Sequence, residues 1–360
     1  MIQIRNIIKT WVFSIMFGLL FTTTGFGQKT DSSTDDEGFF YVTGWDKKII
    51  KKYDQEGKYL NSIGRPGQGP GEFQNISEVR FDVDGNIYLN DTVNRRISIL
   101  SKEGSYIRGI KVPSDFERVI INSKGFLIAQ VSDDIQEEQV RTWDYVYGLF
   151  NDEFNLVEEF FRLPQEFKMP TGRDEDSIVE FLAGGLSVMA FEPVVNYVLD
   201  KEDNILFGYP ENYEINVYSP DGKLMKIIQR NFEPVEISGE HKENFLRKHG
   251  ESYMAAMPQT SHHLKKKIFN SIKYPKYKPA YERFALMENG WIFVVVDSVS
   301  ADFKMIDIFD EDGEYLAQFE TDISTDWLSF NNGKAYAVAT IDDYKFIKRY
   351  NFEILEHEKN

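Results

Sequence analysis

The sequence contains no cysteine among its 360 residues. Without thiols it cannot form a disulfide scaffold, a zinc ribbon, an iron–sulfur site or a cysteine nucleophile. Glycine and proline stay at ordinary levels, 25 and 12 residues, which excludes collagen-like and low-complexity arrays. Basic residues are outnumbered, 41 against 58 acidic ones, and the formal net charge of −17 disfavours binding to the phosphates of nucleic acid.

Aromatic residues, in contrast, are plentiful. The chain has 29 Phe and 19 Tyr, and 42% of its residues are hydrophobic. A disordered chain would lack this content, so a folded core is expected. The length allows one large domain or two ordinary ones.

The N-terminus has the pattern of a secretory signal peptide. Arg5 and Lys9 precede an apolar run at 11–21, and small residues follow up to Gly27. This order predicts a signal peptide at 1–27 and a solvated, flexible tether at 28–37. An uncleaved membrane anchor is the alternative. A lipid anchor would need a cysteine at the cleavage site, so the expected location is secreted or periplasmic, with no stable membrane span after cleavage.

A repeat underlies the rest of the chain, and its clearest unit runs from 75 to 110. Alternating strand patterns there are separated by short turns, such as the Gly85-Asn86 turn and the Ser101-to-Gly104 turn. Four antiparallel strands joined in this way describe a propeller blade. Similar turns recur along the chain and place six blades near 38–64, 73–112, 115–163, 190–230, 279–320 and 323–357; the third blade lacks the turn glycine, at Asn155.

One stretch of the second blade is more specific. Its parts are Gly64-Arg65-Pro66-Gly67-Gln68-Gly69-Pro70-Gly71-Glu72-Phe73, then Asp84-Gly85-Asn86-Ile87-Tyr88, then Asp91-Thr92-Val93-Asn94-Arg95-Arg96-Ile97. This stretch resembles an NHL repeat. The chain as a whole resembles the secreted six-bladed β-propeller proteins of Bacteroidetes, which are similar to NHL-repeat and TolB-like propellers. The resemblance implies an all-β, six-bladed propeller of four-stranded antiparallel blades, and a structural role for Asp91 and Arg96 in tying strands or blades together.

Two features interrupt the regular pattern. The first blade shows only three strands, so its fourth is expected from around Ile354-Leu355 or from residues before Gly38, because a ring must not leave an open edge. The segment 231–278, between blades 4 and 5, predicts a small helical insertion, with helices at 240–257 and 259–272 and Ser238 as an N-cap. The insertion is either a lid for the face where the channel opens or a packing accessory.

The loops that share this face carry aromatic, basic and histidine side chains. Such residues are frequent anchors of binding surfaces, although packing between blades is the competing explanation. The candidate ligand-binding residues on the channel face are Trp45, Arg65, Arg95, Trp143, Tyr209, Tyr213, His262 and His263.

An alternative site uses the innermost strands. Acidic and amide side chains recur there a few residues before the following turn, and oxygen ligands of this kind suit Ca²⁺. The candidate metal ligands are Glu78, Glu117, Asn196, Glu282 and Asp326. Their offset from the turn varies by one residue, which would reverse side-chain direction, and Arg80, Arg118 and Arg283 are close enough in sequence to neutralise them.

The sequence therefore favours an exported, non-enzymatic binding module that holds a ligand or protein partner on its channel face. The partner would be a protein, carbohydrate or small molecule in the envelope or outside the cell, and no cofactor is expected. One alternative is a calcium-dependent lactonase or other hydrolase built on the carboxylate ring. Another is a structural subunit of an envelope assembly.

Overall fold

The structure, a computed structural model, describes residues 3–4, 11–13, 32–35, 37–43, 48–82, 84–136, 140–168, 174–250, 253–254, 261–287, 289–297, 304–321, 328–331, 334–341, 344–351 and 354–355. Across these residues the chain is an all-β propeller with antiparallel four-stranded blades and few helices. No helix in the described part is long and apolar enough to cross a membrane.

Five blades are each built from four consecutive strands. Two short strands come first, β1 (Gln3–Ile4) and β2 (Trp11–Phe13). Blade 1 contains β3 (Ser32–Thr34), β4 (Phe40–Thr43), β5 (Ile50–Tyr53) and β6 (Tyr59–Ile63). A parallel pair, β7 (Arg65–Pro66) and β8 (Glu72–Phe73), leads to blade 2, which contains β9 (Ile76–Phe81), β10 (Ile87–Asp91), β11 (Arg96–Leu100) and β12 (Tyr106–Lys111).

The next three blades follow the same plan with longer connections. Blade 3 contains β13 (Phe116–Ile121), β14 (Leu127–Gln136), β15 (Val140–Phe150) and β16 (Leu156–Lys168), and helix α1 (Glu175–Met189) follows it. Blade 4 contains β17 (Asn196–Leu199), β18 (Ile205–Gly208), β19 (Glu214–Tyr218) and β20 (Leu224–Gln229). Helices α2 (Gly239–Phe245) and α3 (His262–Asn270) precede blade 5, which contains β21 (Arg283–Leu286), β22 (Ile292–Asp297), β23 (Lys304–Phe309) and β24 (Tyr315–Thr321).

The last sheet draws on both ends of the chain. It contains β25 (Leu328–Asn331), β26 (Lys334–Ile341) and β27 (Tyr344–Asn351), and β2 pairs with β27 as its outer strand. We call it the C-terminal sheet. Strand β28 (Ile354–Leu355) pairs separately with β1.

The first strand of blade 1 comes from the N-terminal side. Strand β3 pairs antiparallel with β4, and Asp35 accepts a hydrogen bond from the hydroxyl of Tyr41 at 2.9 Å. This corrects the expectation of a solvated tether through 28–37. Of the two predicted sources of this strand, the residues before Gly38 are right and Ile354-Leu355 is wrong.

The hydrophobic core is divided among the interfaces between neighbouring blades and does not form one central cluster. Separate clusters of buried apolar side chains join each blade to the next, and Phe40 of blade 1 meets Tyr336 of the C-terminal sheet edge-to-face at 4.5 Å. The innermost strands β25 and β3 also lie side by side. The last sheet therefore returns to the first blade and closes the ring.

The turns between third and fourth strands press against the preceding blade. A Cβ added at Gly104 would lie 3.0 Å from the side chain of Ile63, and one at Gly313 would lie 2.7 Å from that of Ile228. Both glycines have positive φ. In blade 3 the residue in this conformation is Phe154, with φ 64°, so the missing glycine belongs to position 154 and not to Asn155.

Helices from two separate connections form one small unit, which we call the helical cap (174–190, 238–250, 253–254 and 261–272). Asp174 caps α1, and Ser238 caps α2 as predicted. Leu186 of α1 and Ile268 of α3 are both buried in the shared apolar cluster. Within the predicted 240–257 helix, a π-helical turn at Leu246–Gly250 follows α2 directly.

Candidate functional site

A cavity of about 590 Å³ lies between blades 2 and 3. Because strands alternate in direction, the loops between second and third strands and the connections between blades emerge at one end of the propeller, which we call the connection face. The cavity opens there. Its lining residues are Ser77, Glu78, Arg80, Asn90, Thr92, Arg95, Val112, Pro113, Ser114, Phe116, Glu117, Arg118, Ile120 and Tyr197.

Three predicted site residues meet in this cavity. Arg95 was expected to bind a ligand, and Glu78 and Glu117 were expected to bind a metal. The cavity adds Arg80 and Arg118, which the sequence marked only as neighbours that could neutralise the acids. It therefore contains three guanidinium groups and two carboxylates.

The two carboxylates differ in their partners. Nε of Arg80 donates to Glu78 Oε1 at 2.6 Å, so these two charges compensate each other. Glu117 receives only a long contact, from Gln130 Nε2 at 3.5 Å, among the described residues. Glu117 consequently keeps most of its acceptor capacity for a group in the cavity.

Arg118 is held in place from blade 4. Its Nη1 donates to the carbonyl of Val195 at 3.0 Å, and its guanidinium lies 5.1 Å from the ring centroid of Tyr197. The Tyr197 hydroxyl in turn donates to the Arg118 carbonyl. Burial raises the pKa of Tyr197 above its ordinary value, so this hydroxyl stays protonated at neutral pH. An arginine has five N–H donors, so most of those on Arg118 remain for a ligand.

Arg95 is the least engaged cation of the cavity. Its backbone is pinned, because its carbonyl accepts from Val112 N at 2.9 Å. Its guanidinium has no recorded partner among the described residues. An exposed, unpaired guanidinium at a cavity is a natural partner for a carboxylate or phosphate group.

Two of the three cavity arginines have a left-handed backbone, with φ 49° at Arg95 and 50° at Arg118. For a residue with a Cβ this conformation costs roughly 1–2 kcal/mol. Strain of this kind collects at functional sites, where the rest of the structure enforces it. Arg95 and Arg118 both line the same cavity.

The remaining predicted ligand residues lie elsewhere. Arg65 forms an ion pair with Glu72 within its own loop, where Nε and Nη2 both contact Oε1. Tyr209 stacks on Phe161 with ring centroids 4.5 Å apart, and Trp143 packs edge-on against Tyr145 on strand β15. His262 and His263 are exposed at the start of α3, in the helical cap. Trp45 lies outside the described residues.

Tyr213 requires a correction. It is only 3% exposed, and its hydroxyl donates to the buried Asp307 at 2.6 Å. The prediction placed its side chain on an open loop, whereas the structure uses it to join blade 4 to blade 5.

The predicted metal ligands that the structure describes do not form one cluster: Glu78 and Glu117 line the cavity, whereas Asn196 and Glu282 have other partners. Lys304 pairs with Glu282, and the Asn196 amide donates to backbone carbonyls of Val194 and Glu282. Asp326 lies outside the described residues. No group of three or more acidic or histidine side chains in the described part is arranged to hold a metal ion. A calcium site on this ring stays a prediction.

Asp91 and Arg96 tie the connection between blades 1 and 2. Asp91 accepts from the backbone amides of Gln74 and Asn75, at 3.1 and 3.0 Å, and Arg96 donates to carbonyls of the same loop. The resemblance to an NHL repeat implied this structural role, although here the two side chains grip the loop rather than each other.

Known families support the fold. The family model DUF5128, described as a 6-bladed beta-propeller, matches residues 35–202, somewhat less than half of the chain. No curated protein matches the chain in sequence.

Two solved structures from Bacteroides are similar over the whole chain. One is a protein of Bacteroides fragilis that its name describes as exported, with 12% identity and a TM-score of 0.51 over 99% of this chain and 96% of that one. The other is a member of the DUF4221 family from Bacteroides vulgatus, with 10% identity and a TM-score of 0.52 over 99% of both chains. At such low identity the similarity shows the fold alone. The chain is thus a β-propeller with antiparallel four-stranded blades, similar to propellers of Bacteroides.

Proposed function

We propose that this chain is an exported, six-bladed propeller that binds a small ligand, or a segment of a partner, through an anionic group held in the cavity between blades 2 and 3. One observation carries the proposal: Arg95 and Arg118 both adopt a left-handed backbone and line the same cavity. The retained conformational cost is explained if the two guanidinium groups hold a shared anion.

The surrounding groups give the cavity further selectivity. Glu117 offers a carboxylate to a hydroxyl or cationic group of the same ligand, while Glu78 keeps Arg80 compensated. The walls contributed by Val112, Phe116 and Ile120 are apolar. A ligand with one anionic group, a polar group and a compact apolar body fits this chemistry.

Six blades follow from counting the C-terminal sheet as a blade; in an exported chain without residues 1–27, this sheet keeps β25, β26 and β27 and loses its outer strand β2. That sheet contacts blade 1 through Tyr336 and Phe40, and Arg349 Nη1 donates to the carbonyl of Gln55 at 2.9 Å. The family description and the spacing of the sequence repeats both favour six. Export is favoured by the N-terminal sequence pattern and by the similar Bacteroides fragilis protein that is named as exported.

The proposal is tested by thermal unfolding of residues 28–360 with phosphate, acetate, gluconate or glucuronate, against sodium chloride of equal ionic strength. A ligand that binds only the folded state raises the melting temperature. We expect a rise with at least one of these anions, and its loss in Arg95→Ala and in Arg118→Ala.

Arg108→Ala is the matched control, because Arg108 is an exposed arginine on β12 outside the cavity. It should respond as the unmodified protein does. Absence of a response to all four anions would contradict the proposal. A response to Ca²⁺ that Glu78→Ala abolishes would favour the hydrolase alternative instead.

A further inference from the structure

A second concave surface lies on the connection face at blade 4, apart from the cavity described above. It has a volume of about 800 Å³ but few lining residues, so it is a broad groove. The seven residues that line it are Asn212, Tyr213, Glu214, Gln229, Arg230, Asn231 and Phe232. These residues come from the loop before β19 and its first residue, and from the last residue of β20 and the segment after it. We call it the blade 4 groove.

The floor of the groove is a rigid charged network. Arg230 forms an ion pair with Asp307, which is fully buried, and Asp307 also accepts from Tyr213 and from Gln318 Nε2 at 2.8 Å. The Arg230 guanidinium lies 4.3 Å from the ring centroid of Tyr315. The positive charge of Arg230 is therefore already compensated by Asp307.

The walls of the groove are planar and polar. Gln229 Nε2 donates to Glu214 Oε2 at 2.8 Å, which fixes an amide beside a carboxylate. The side-chain amides of Asn212 and Asn231 are exposed and have no recorded partner among the described residues. Each amide can both donate and accept, as a vicinal pair of hydroxyl groups requires.

An aromatic ring completes the groove. Phe232 is half-buried, with its ring centroid 6.1 Å from that of Tyr213, and it packs on the apolar cluster between blades 4 and 5. The part of the ring that lines the groove offers an apolar surface beside the amides. Such a surface suits the C–H face of a pyranose ring.

We propose that the blade 4 groove binds a neutral oligosaccharide. Compensation of Arg230 by Asp307 removes the attraction for an anion, and the carboxylate of Glu214 repels one. The adjacent amides and the aromatic ring match the alternating polar and apolar faces of a sugar. The breadth of the groove suits a chain of several sugar units rather than a single monosaccharide.

The test is titration of residues 28–360 with neutral hexasaccharides (cellohexaose, maltohexaose, laminarihexaose, xylohexaose and mannohexaose), followed by calorimetry. We expect binding of at least one. Phe232→Leu keeps the apolar volume and removes the ring, and should weaken binding about fivefold to tenfold. Asn231→Ala should weaken it about fivefold.

Two controls separate this site from the other cavity. Asn61→Ala truncates an exposed amide on β6 of blade 1 and should leave the affinity unchanged, as should Arg95→Ala. The proposal is overturned if none of the hexasaccharides binds, or if only an acidic oligomer such as hexagalacturonate does. Equal binding by the unmodified protein, Phe232→Leu and Asn231→Ala would also overturn it.

Discussion

At the residue scale, glycine serves two purposes in this propeller, and the structure separates them. Gly125 and Gly313 both have positive φ, near 86°. A Cβ at Gly125 would meet nothing within 4 Å, whereas one at Gly313 would meet the buried side chain of Ile228 at 2.7 Å. The first position needs only the conformation, and the second also needs the space.

This pair gives a direct stability prediction. Gly125→Ala should lower the free energy of unfolding by about 1 kcal/mol, the cost of a left-handed alanine. Gly313→Ala should lower it by about 2–4 kcal/mol, because overpacking against the neighbouring blade is added. Urea denaturation of the two variants measures the difference, and equal losses would show that the space beside Ile228 is not limiting.

Glu72 gives a pH-dependent prediction at the same scale. Its carboxylate accepts from the backbone amide of Gly69 at 2.8 Å and pairs with Arg65, and these bonds hold the pKa of Glu72 below its ordinary value of 4.5. A lowered folded pKa means that the stabilisation is present above the ordinary value and is lost as pH falls through the lowered one. Glu72→Gln should therefore be less stable than the unmodified protein near neutral pH.

The difference in the free energy of unfolding between the unmodified protein and Glu72→Gln should become smaller as the pH falls. As pH falls through the lowered pKa of Glu72, protonation removes the same stabilisation from the unmodified protein, so the two unfolding free energies should converge. Denaturation curves recorded from neutral pH down to about pH 3 check this. A gap that stays constant with pH would show that the carboxylate charge is not what the loop uses.

At the element scale, the helical cap has its own core. Leu186 of α1 is fully buried in the cluster that α2 and α3 share, and no described residue of that cluster belongs to a blade strand. Two pairings reinforce the contact, since Lys267 of α3 binds Glu175 at 3.1 Å and Asp176 at 2.6 Å. The cap can therefore loosen while the blades remain folded.

Leu186→Ala tests this independence. Loss of this buried side chain should lower the free energy of unfolding of the cap by about 2–5 kcal/mol. The control Leu224→Ala, at a side chain that is 45% exposed, should change the free energy of unfolding by less than about 0.5 kcal/mol. Limited proteolysis of Leu186→Ala should cut first within the helical cap. Cleavage that begins in the blades instead would show that cap and propeller unfold as one unit.

The sequence predicted the turns between strands but did not predict helix α1. The predicted turns recur because Asp, Asn and Ser side chains accept from the backbone two and four residues on, as Asp54 does from Glu56 and Lys58. Such chemistry is local and visible in sequence. Helix α1 was obscured by Gly184-Gly185, yet a Cβ at Gly185 would lie 2.7 Å from the hydroxyl of Tyr253, so that glycine permits a contact which only the folded cap reveals.

The candidate cavity was only partly predictable for a similar reason. Arg95, Glu78 and Glu117 could be identified because their residue types and repeat positions are visible. The role of Arg118 depends on a left-handed backbone and on Tyr197, which lies 79 residues further along. No local pattern encodes either condition.

At the scale of the whole molecule, strand β3 completes the ring, since it supplies the innermost strand of blade 1 and lies beside β25. A chain that begins at residue 28 keeps β3, and one that begins at residue 38 lacks it. The shorter chain should melt at a lower temperature and aggregate more readily, because its first blade exposes an unpaired edge at β4. Light scattering during a thermal ramp compares them, and identical curves would show that β3 does not contribute to closure.

The contact between Phe40 and Tyr336 also has a consequence for the speed of folding. These rings touch across almost the whole length of the chain, so their approach must follow the synthesis of nearly all of the intervening residues. Contacts of such large sequence separation slow folding, because closing the long loop costs conformational entropy before the contact contributes any stabilisation. Each blade can form its own hairpins early, but the interface between first and last sheets must form late. Until this late interface forms, the unpaired strand edges of the first and last sheets stay exposed to other chains.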